Sequence, residues 1–450
     1  MTITFFWIIA GELVFLCLTG FLFIFCITSL AEKEYRAFRR SGLIFIFLIA
    51  VNVLVYLSGE PVRTVVFAGM FFVFMIGILL FFLSPKPKSS ISIRSEIKKI
   101  DQRDIIFARF ELEKGTEKYN NYYKRFPERK AGDDKIRKRP DILTPDHIRK
   151  DPYLFNLAAA EFDFLEQQLT LVDGDKATKK TPVTAEDFTK YVKKVLKYLG
   201  AVDSGVCLLD QKYIYSHVGR GPEEYGSRIV NQHKYAVVFV IEKDFGMISC
   251  APEAPVVVET AKCYLEIAHI GIVCAGLIRR LGYNARAHIA GSNYQAMVTP
   301  MAWKAGLGEL GRVGILVHPR LGPRIRLGLI TTDIPLVPTG PRVWGIQDFC
   351  ERCRKCALNC PGRAIPENGK AVENGVEKWV IEREKCYYYW RKVGTDCSTC
   401  ILTCPFSKPD NFFHGIIRWM ALSSRWIQPL LVKGDDFFYG KHPIRKKSPL

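Results

Sequence analysis

Eight of the fourteen cysteines of this chain lie within residues 350–404, in two spaced runs. The first run is Cys350-x2-Cys353-x2-Cys356-x3-Cys360-Pro361, which is the spacing of bacterial ferredoxins. In that pattern three close thiolates bind one [4Fe–4S] cluster, and the fourth binds the other cluster. We therefore predict two [4Fe–4S] clusters. Cluster 1 would have Cys350, Cys353, Cys356 and Cys404 as ligands, and cluster 2 would have Cys386, Cys397, Cys400 and Cys360.

Zinc and disulfides are the alternative uses of such a cysteine pattern. Cys-x2-Cys pairs also bind zinc, but a tetrahedral site takes two pairs and does not require Cys-x3-Cys-Pro twice. Disulfide frameworks are typical of short secreted chains, and this one has 450 residues. The second run departs from simple ferredoxins by the ten residues between its first two cysteines. We assign no role to the six remaining cysteines, which are Cys17, Cys26, Cys207, Cys250, Cys263 and Cys274.

The first 84 residues are apolar and differ in charge from the rest of the chain. They hold five basic and four acidic residues, whereas the whole chain has a net charge of +19. Apolar runs at about 4–30, 42–59 and 62–83 are long enough to cross a bilayer core, which takes about 20 residues. A cleaved signal peptide is disfavoured because the first basic residue is Lys33. Glu12 lies in the first run, where it either reaches the interface or serves a quinone or proton.

Basic residues predict the orientation of this anchor. Residues 32–40 contain four basic residues, and further lysines and arginines follow the third run. Since basic loops stay in the cytoplasm, we predict a multi-pass protein of the inner membrane with its body in the cytoplasm. Residues 85–153 form a basic linker with 19 basic and 12 acidic residues. Without a nucleic-acid-binding motif, this charge favours anionic lipid over nucleic acid.

Residues 154–340 are predicted to form an α/β body. The hydrophobic pattern indicates helices at 191–199, 256–281 and 299–307. It indicates strands at 235–241, 285–290, 313–317 and 324–331, the last two paired as a hairpin. The stretch Gly306-Leu-Gly-Glu-Leu-Gly311 has the spacing of a dinucleotide fingerprint. A helix precedes it and a strand follows, which is the reverse of the order that NAD binding requires.

The order of these motifs resembles that of the corrinoid-dependent reductive dehalogenases and, more distantly, epoxyqueuosine reductase. The resemblance covers roughly residues 150–410. Its motifs are Thr260-x3-Tyr264, Leu281-Gly282-Tyr283, Gly306–Arg312, Gly322-Pro-Arg-Ile-Arg326, Thr332-Asp333-Ile-Pro-Leu336 and the two cysteine runs. The resemblance implies a nitroreductase-like corrinoid-binding domain (154–340) and a ferredoxin-like domain (341–410). With the three-helix transmembrane anchor (1–84), the basic linker (85–153) and a C-terminal extension (411–450) that the sequence itself indicates, we predict an α+β chain.

The resemblance also implies cofactors and catalytic residues. A cobalamin, held base-off, would take electrons from the two clusters and remove halide from an organohalide. Tyr264 would donate the proton, assisted by Arg326, with Arg324 as the reserve candidate. Thr260, Asn293 and Arg324 would line the cofactor site. A tyrosine is neutral at pH 7 and can donate a proton, and a nearby cation stabilises the phenolate that remains.

Two other functions stay open at this point. An epoxyqueuosine-reductase-like enzyme would act on a tRNA base with the same cofactors, although that family uses an acidic proton donor and needs no anchor. A membrane iron–sulfur electron carrier without corrinoid would keep only the clusters. The expected partners are a small organohalide, membrane lipid and an electron donor, either a quinol or a protein of the ferredoxin or flavodoxin type. Respiratory members of the family carry a twin-arginine signal and use a separate anchor protein, whereas here the spans belong to the same chain.

Overall fold

The computed structural model describes residues 2–88, 91–144, 147 and 151–450. Two compact units divide the chain: unit 1 is Met1–Lys88 with Asp410–Pro443, and unit 2 is Ser89–Pro409 with Ile444–Leu450. The α-helices of the described residues are α1 (Thr2–Ala31), α2 (Tyr35–Leu57), α3 (Glu60–Leu83), α4 (Ile106–Phe110), α5 (Glu117–Arg125), α6 (Pro127–Arg137), α7 (Pro152–Gln167), α8 (Ala185–Tyr198), α9 (Phe245–Ile248), α10 (Pro255–Arg280), α11 (Val298–Lys304), α12 (Ile346–Cys353), α13 (Lys355–Leu358), α14 (Arg383–Val393), α15 (Thr399–Thr403), α16 (Phe412–Ser423) and α17 (Gln428–Phe438). The strands are β1 (Ser92–Ile93), β2 (Asp203–Leu208), β3 (Tyr235–Glu242), β4 (Ala285–His288), β5 (Glu309–Leu310), β6 (Leu316–Val317), β7 (Ile325–Thr332), β8 (Ala371–Glu373) and β9 (Val376–Lys378).

Unit 1 contains three long apolar helices, in which α1 packs against both α2 and α3. The closest approach is at Gly11, where an added Cβ would lie 2.3 Å from Cβ of Phe67. Only 6% of the most apolar window of α2, and 6% of that of α3, is buried. Apolar surface of this extent is unfavourable in water, so the helices suit a bilayer. By length and composition α10 also qualifies, but half of its window is buried within unit 2.

Unit 2 is built on a four-stranded antiparallel sheet with the order β2-β3-β7-β4. The six inner residues of β3 are buried and alternate between two cores. Val237 and Phe239 face a core that includes α10, whereas Val238 and Val240 face a core that includes residues of α11. This alternation is the period of two expected of a strand buried on both faces. The sheet register places Arg326 of β7 opposite Ile241 of β3, next to α10.

Most of the predicted elements of the body are present, but the predicted hairpin between strands 313–317 and 324–331 is wrong. Strand β6 pairs with β5, and β7 pairs with β3 and β4 instead. Prolines at 319 and 323 cannot donate to a ladder, which restricts pairing between the two predicted strands. His318 and Gly322 exchange backbone hydrogen bonds of 2.9 and 2.8 Å, which close a local turn. The mostly buried residues of β7 then take ladder partners on both of its edges.

The basic linker is folded over much of its length, in helices α4 to α6. Arg109 of α4 forms a buried ion pair with Asp133 of α6 at 2.6 Å. The same guanidinium also contacts Glu384 of α14 at 3.0 Å. Part of the positive charge that was expected to face lipid is therefore paired within unit 2. Whether the exposed remainder contacts the membrane stays a prediction, as do the domain boundaries.

Candidate iron–sulfur and acid–base site

The two cysteine runs adopt the same local backbone geometry. Arg354 and Ser398 lie in the left-handed region with φ of 51° and 55°, a conformation that non-glycine residues adopt uncommonly. Each precedes a short helix, α13 or α15, whose second residue is the third cysteine of its run, Cys356 or Cys400. Helices α13 and α15 pack against each other. The two runs are therefore brought together as a related pair of ligand loops.

The predicted cluster ligands lie near one another, and Cys397 is buried whereas the other seven are half-buried. Burial raises the pKa of Cys356 well above its ordinary value, and the thiols of Cys350, Cys404 and Cys353 add to that effect. Burial likewise raises the pKa of Cys400, with contributions from Cys397, Cys386 and Cys360. Buried thiols of this kind ionise when a metal centre supplies positive charge. The neighbours of Cys356 and Cys400 include the partners predicted for clusters 1 and 2.

The described residues contain no group of three or more His, Cys, Asp or Glu side chains placed to hold a single metal ion.

The glycine-rich stretch 306–311, set aside as a nucleotide motif, supports the first cysteine loop. Glu309 is buried and accepts hydrogen bonds from the backbone N–H groups of Trp344 and Gln347, at the start of α12. Arg312 is also buried, and its Nε donates to the carbonyl oxygen of Cys350 at 3.0 Å. A Cβ at Gly311 would lie 2.5 Å from Val317 and 3.5 Å from Sγ of Cys350. Sequence analysis missed Glu309 and Arg312, although both lie within the quoted family motif.

Tyr264 and Arg326, the predicted proton donor and its assisting cation, are in direct contact. Nη1 of Arg326 donates to the hydroxyl oxygen of Tyr264 at 2.8 Å, and the guanidinium carbon lies 4.3 Å from the centre of the tyrosine ring. Tyr264 lies on α10 and Arg326 on β7. Burial opposes the charge of Arg326, but Tyr264 and Asp396 raise the pKa of Arg326 above its ordinary value. The arginine therefore remains charged beside the phenol.

Thr260, one helical turn before Tyr264, joins three charged side chains. Its hydroxyl donates to Oδ2 of Asp396 at 2.5 Å. It accepts from Nζ of Lys243 at 2.9 Å and from Nη2 of Arg326 at 3.2 Å. One donated and two accepted bonds satisfy a hydroxyl completely. Because Asp396 directly precedes Cys397, this network connects Tyr264 to the second cysteine loop.

Lys243 and Asp396 are the participants that sequence analysis did not identify. Lys243 is only 2% exposed, and its Nζ lies 3.9 Å from Asp396. Burial lowers the pKa of Lys243 and Arg326 lowers it further, whereas Asp396 acts in the opposite direction. The only signal in the sequence was a lysine just after a fully apolar strand, and a lysine is rarely buried without a partner. Asp396 carried no signal except its place beside a cluster cysteine.

Asn293 and Arg324 have protein partners for most of their polar atoms. Oδ1 of Asn293 accepts from the N–H groups of Ile289 and Ala290, which holds a turn after β4. Arg324 lies just before β7, where it forms a 2.7 Å ion pair with Glu242 and donates to backbone oxygens. Of the two candidate arginines, it is Arg326 that contacts Tyr264. Roles for Asn293 and Arg324 at the cofactor remain predictions.

The surroundings of this network suit a polar cofactor. Among the described residues, three buried atoms here have no hydrogen-bond partner: Nε of Arg326, Nη2 of Arg324 and Oδ1 of Asp396. Gly291 lies beside Tyr264, and a Cβ there would be 3.7 Å from the tyrosine hydroxyl. A large side chain at 291 would therefore cover the hydroxyl. Uncommitted donors next to an accessible phenol fit a corrinoid, whose periphery carries amide groups.

Comparison with known proteins first defines the class of the cysteine-rich part. A family model described as a 4Fe-4S dicluster domain matches residues 349–408, which include all eight predicted ligands. The chain also shares the fold of a catabolic reductive dehalogenase of known structure. That match has a TM-score of 0.65 at 24% identity and covers 80% of this chain and 49% of the other. Together these matches define a dicluster iron–sulfur protein with the reductive dehalogenase fold.

Sequence relatives then confirm the resemblance. The chain is 31% identical over 312 residues to a tetrachloroethene reductive dehalogenase of Desulfitobacterium hafniense, covering 59% of this chain and 56% of that protein. It is 30% identical over 284 residues to the enzyme of the same name from Sulfurospirillum multivorans, covering 56% of each. This chain is thus a homologue of the reductive dehalogenases, and it spans about half the length of the curated relatives it matches.

Substituting single cysteines tests the predicted ligand sets. We expect Cys404→Ala to remove the same cluster as Cys350→Ala, and Cys360→Ala the same cluster as Cys386→Ala, because the fourth ligand of each run crosses over. Iron content should fall from about eight towards about four per chain, since each cubane holds four irons. Cys274→Ala, a buried cysteine of α10, is the control and should keep all the iron.

The low-temperature EPR spectrum of the reduced chain should show which cluster has been lost. The assignment is wrong if Cys404→Ala matches Cys386→Ala instead of Cys350→Ala.

Proposed function

We propose that this chain is a membrane-anchored reductive dehalogenase that removes halide from a small organohalide, with two [4Fe–4S] clusters and a corrinoid. The homologues described above support the activity class. What carries the proposal in this chain is the hydrogen bond between Arg326 and Tyr264, continued through Thr260 to Asp396. This chain of hydrogen bonds supports the proposal because it joins a phenol and a guanidinium to the second cysteine loop.

Each residue of the network has a defined task in this proposal. When bound, the corrinoid supplies a low-potential cobalt that reduces the carbon–halogen bond. Tyr264 gives its proton to the carbon from which halide leaves, and Arg326 stabilises the phenolate. Thr260 keeps the guanidinium in place. Lys243 and Asp396 balance the charge around that hydroxyl, so that a net positive field faces the phenolate.

Thr260→Val tests whether the hydroxyl positions Arg326. Valine has nearly the same shape, but it leaves Lys243 and Arg326 without one acceptor and Asp396 without one donor. Hydrogen bonds to charged groups contribute about 1.5–3 kcal/mol each, so we expect a lower melting temperature and a roughly tenfold lower kcat. Thr260→Ser should restore both values. If Thr260→Val changes KM alone, the hydroxyl contacts substrate and does not position the arginine.

The finer points of location and cofactor binding belong to the same proposal. The apolar helices of unit 1 can span a membrane by length and composition, and three spans place the basic loop 32–40 on the same side as the chain that follows α3. By the bias of basic loops that side is the cytoplasm. A corrinoid would be held base-off by this proposal, with Tyr264 and Arg326 facing it and Asn293 and Arg324 as further residues that would hold it. A quinol or a small protein donor supplies the electrons.

The first experiment is anaerobic purification of the full chain in detergent with cobalamin supplied. About eight irons and one cobalt per chain would support the proposal, because each cubane holds four irons. Chloride or bromide release should then be measured with reduced methyl viologen as donor. Two compounds serve as probes. Tetrachloroethene is chosen because this chain is similar to tetrachloroethene reductive dehalogenases. The other is 3-bromo-4-hydroxybenzoic acid, which is bound in a solved structure of a catabolic reductive dehalogenase.

Two other outcomes would overturn the proposal in different ways. Eight irons without cobalt would leave a membrane iron–sulfur electron carrier. Cobalt and iron without halide release would direct attention to the epoxyqueuosine-reductase alternative. A reductase of that name from Staphylococcus aureus is 32% identical over 168 residues, covering 33% of this chain and 43% of that protein.

A further inference from the structure

The C-terminal helices α16 and α17 belong to unit 1, together with the three apolar helices. They contact one end of each span. Phe413 stacks on Phe25 near the end of α1, with ring centres 4.4 Å apart. Trp419 contacts Phe81 near the end of α3 at 5.3 Å. Phe437 lies under the guanidinium of Arg40, near the start of α2.

These contacts fix the level of the two helices relative to the spans. The end of α1, the start of α2 and the end of α3 must lie on one side of a membrane, because each helix crosses it once. Polar contacts mark the same level: the backbone N–H of Trp426 donates to Oγ of Ser84, and Nε2 of His414 lies 3.1 Å from a carboxylate oxygen of Glu32. We call α16, α17 and the turn between them (residues 412–438) the collar, since they lie around these three ends.

The collar carries exposed aromatic and aliphatic side chains at that level. Its largest exposed members are Phe412 (72%), Leu430 (66%), Trp426 (56%) and Trp419 (55%). Tryptophan has an apolar ring and a polar N–H, and it concentrates where acyl chains meet headgroups. Exposed side chains of this size on helices that continue a membrane-spanning unit indicate contact with the same lipid.

The excess of basic side chains at this end of the spans favours contact with anionic lipid. Residues 32–40, 86–88 and 410–441 contain ten basic and five acidic side chains. The opposite turn, residues 58–63, has one of each sign, Glu60 and Arg63. Basic residues near the surface of an anionic leaflet are attracted to its headgroups.

We propose that the collar is a lipid-binding surface, which lies in the membrane–water interface and inserts Trp419 and Trp426 at the level of the anionic headgroups. The C-terminal extension is then part of the anchor. This inference rests on the proposed membrane anchoring of unit 1, but not on the catalytic activity. A soluble partner protein would not require the aromatic rings to coincide with the ends of the spans.

Fluorescence quenching by brominated lipid tests the collar directly. The full chain is placed in nanodiscs of phosphatidylcholine and phosphatidylglycerol, with bromine either shallow or deep on the acyl chains. Trp7→Phe serves as the background, because Trp7 lies in α1. We expect shallow bromine to quench this variant more strongly than deep bromine. Adding Trp419→Phe and Trp426→Phe should remove most of that quenching, whereas Trp379→Phe, which changes a residue 2% exposed in unit 2, should remove none.

The outcomes separate this inference from the proposals on which it rests. Unchanged shallow quenching after the double substitution, or no difference between shallow and deep bromine, would overturn the collar. If bromine does not quench Trp7 of the unmodified chain, the proposed membrane anchoring is wrong, and the proposal for the collar is wrong as well. Halide release measured in the same nanodiscs reports on the catalytic proposal independently. Phenylalanine at 419 keeps an aromatic ring against Phe81, and the bond from the backbone N–H of residue 426 to Ser84 does not depend on the side chain.

Discussion

Tyr264→Phe should lower halide release by about 100- to 10,000-fold, which is the usual contribution of a general acid. The substitution removes one hydroxyl and keeps the ring that Arg326 covers. Iron and cobalt contents should therefore not change. The cluster signals in the reduced spectrum should also persist, because Tyr264 is not one of the predicted cluster ligands. The measurement is kcat for halide release per cobalt-containing chain.

Tyr283→Phe is the matched control for this substitution. Tyr283 is buried just after α10, and its hydroxyl donates to the carbonyl oxygen of Thr181 at 3.1 Å. Its loss should cost about 0.5–1.5 kcal/mol of unfolding free energy and leave kcat within about twofold. If Tyr264→Phe keeps kcat within a few-fold, another group donates the proton and the assigned mechanism is wrong.

The sequence predicted the elements that follow directly from local pattern. The buried strand at 235–241 and the long helix at 256–281 are present as β3 and α10, because period and length are local properties. The eight cysteines were identifiable because the spacing of cluster ligands is itself local. The pairing of β7 was predicted wrongly, since strand partners depend on the whole sheet and not on the nearest segment in the chain.

The missed residues of the site show the same limit. Lys243, Thr260 and Asp396 are separated by 17 and 136 positions, yet they share one hydroxyl. Only Thr260 was predicted, and only through its spacing to Tyr264. A buried lysine and an aspartate become recognisable as partners only when a fold brings them together. The folding of the basic linker is a similar case. Arg109 can be buried only because it pairs with Asp133, which lies 24 residues further along the chain.

The second large effect is expected from substitutions at Arg326 and Arg324. Replacing Arg326 should lower kcat, whereas replacing Arg324 should lower stability. Arg326 is the one that contacts Tyr264 and Thr260. Arg326→Met should lower kcat about 100-fold, because the phenolate loses its cation. Arg326→Lys keeps the charge, but its single ammonium group cannot reproduce the fork that spans two oxygens, so a roughly tenfold loss is expected.

Arg324→Met should instead act on stability. The substitution removes the ion pair with Glu242 and leaves the carbonyl oxygen of Ser407 without this donor. Each buried group left unpaired costs about 1–3 kcal/mol, so the melting temperature should fall by several degrees. The kcat per folded, cobalt-containing chain should stay within about threefold. The opposite result, in which Arg324→Met lowers kcat and Arg326→Met lowers only stability, would make Arg324 the partner of the acid. It would also mean that the contact between Arg326 and Tyr264 is structural, because a hydrogen bond contributes to catalysis only if it strengthens in the transition state.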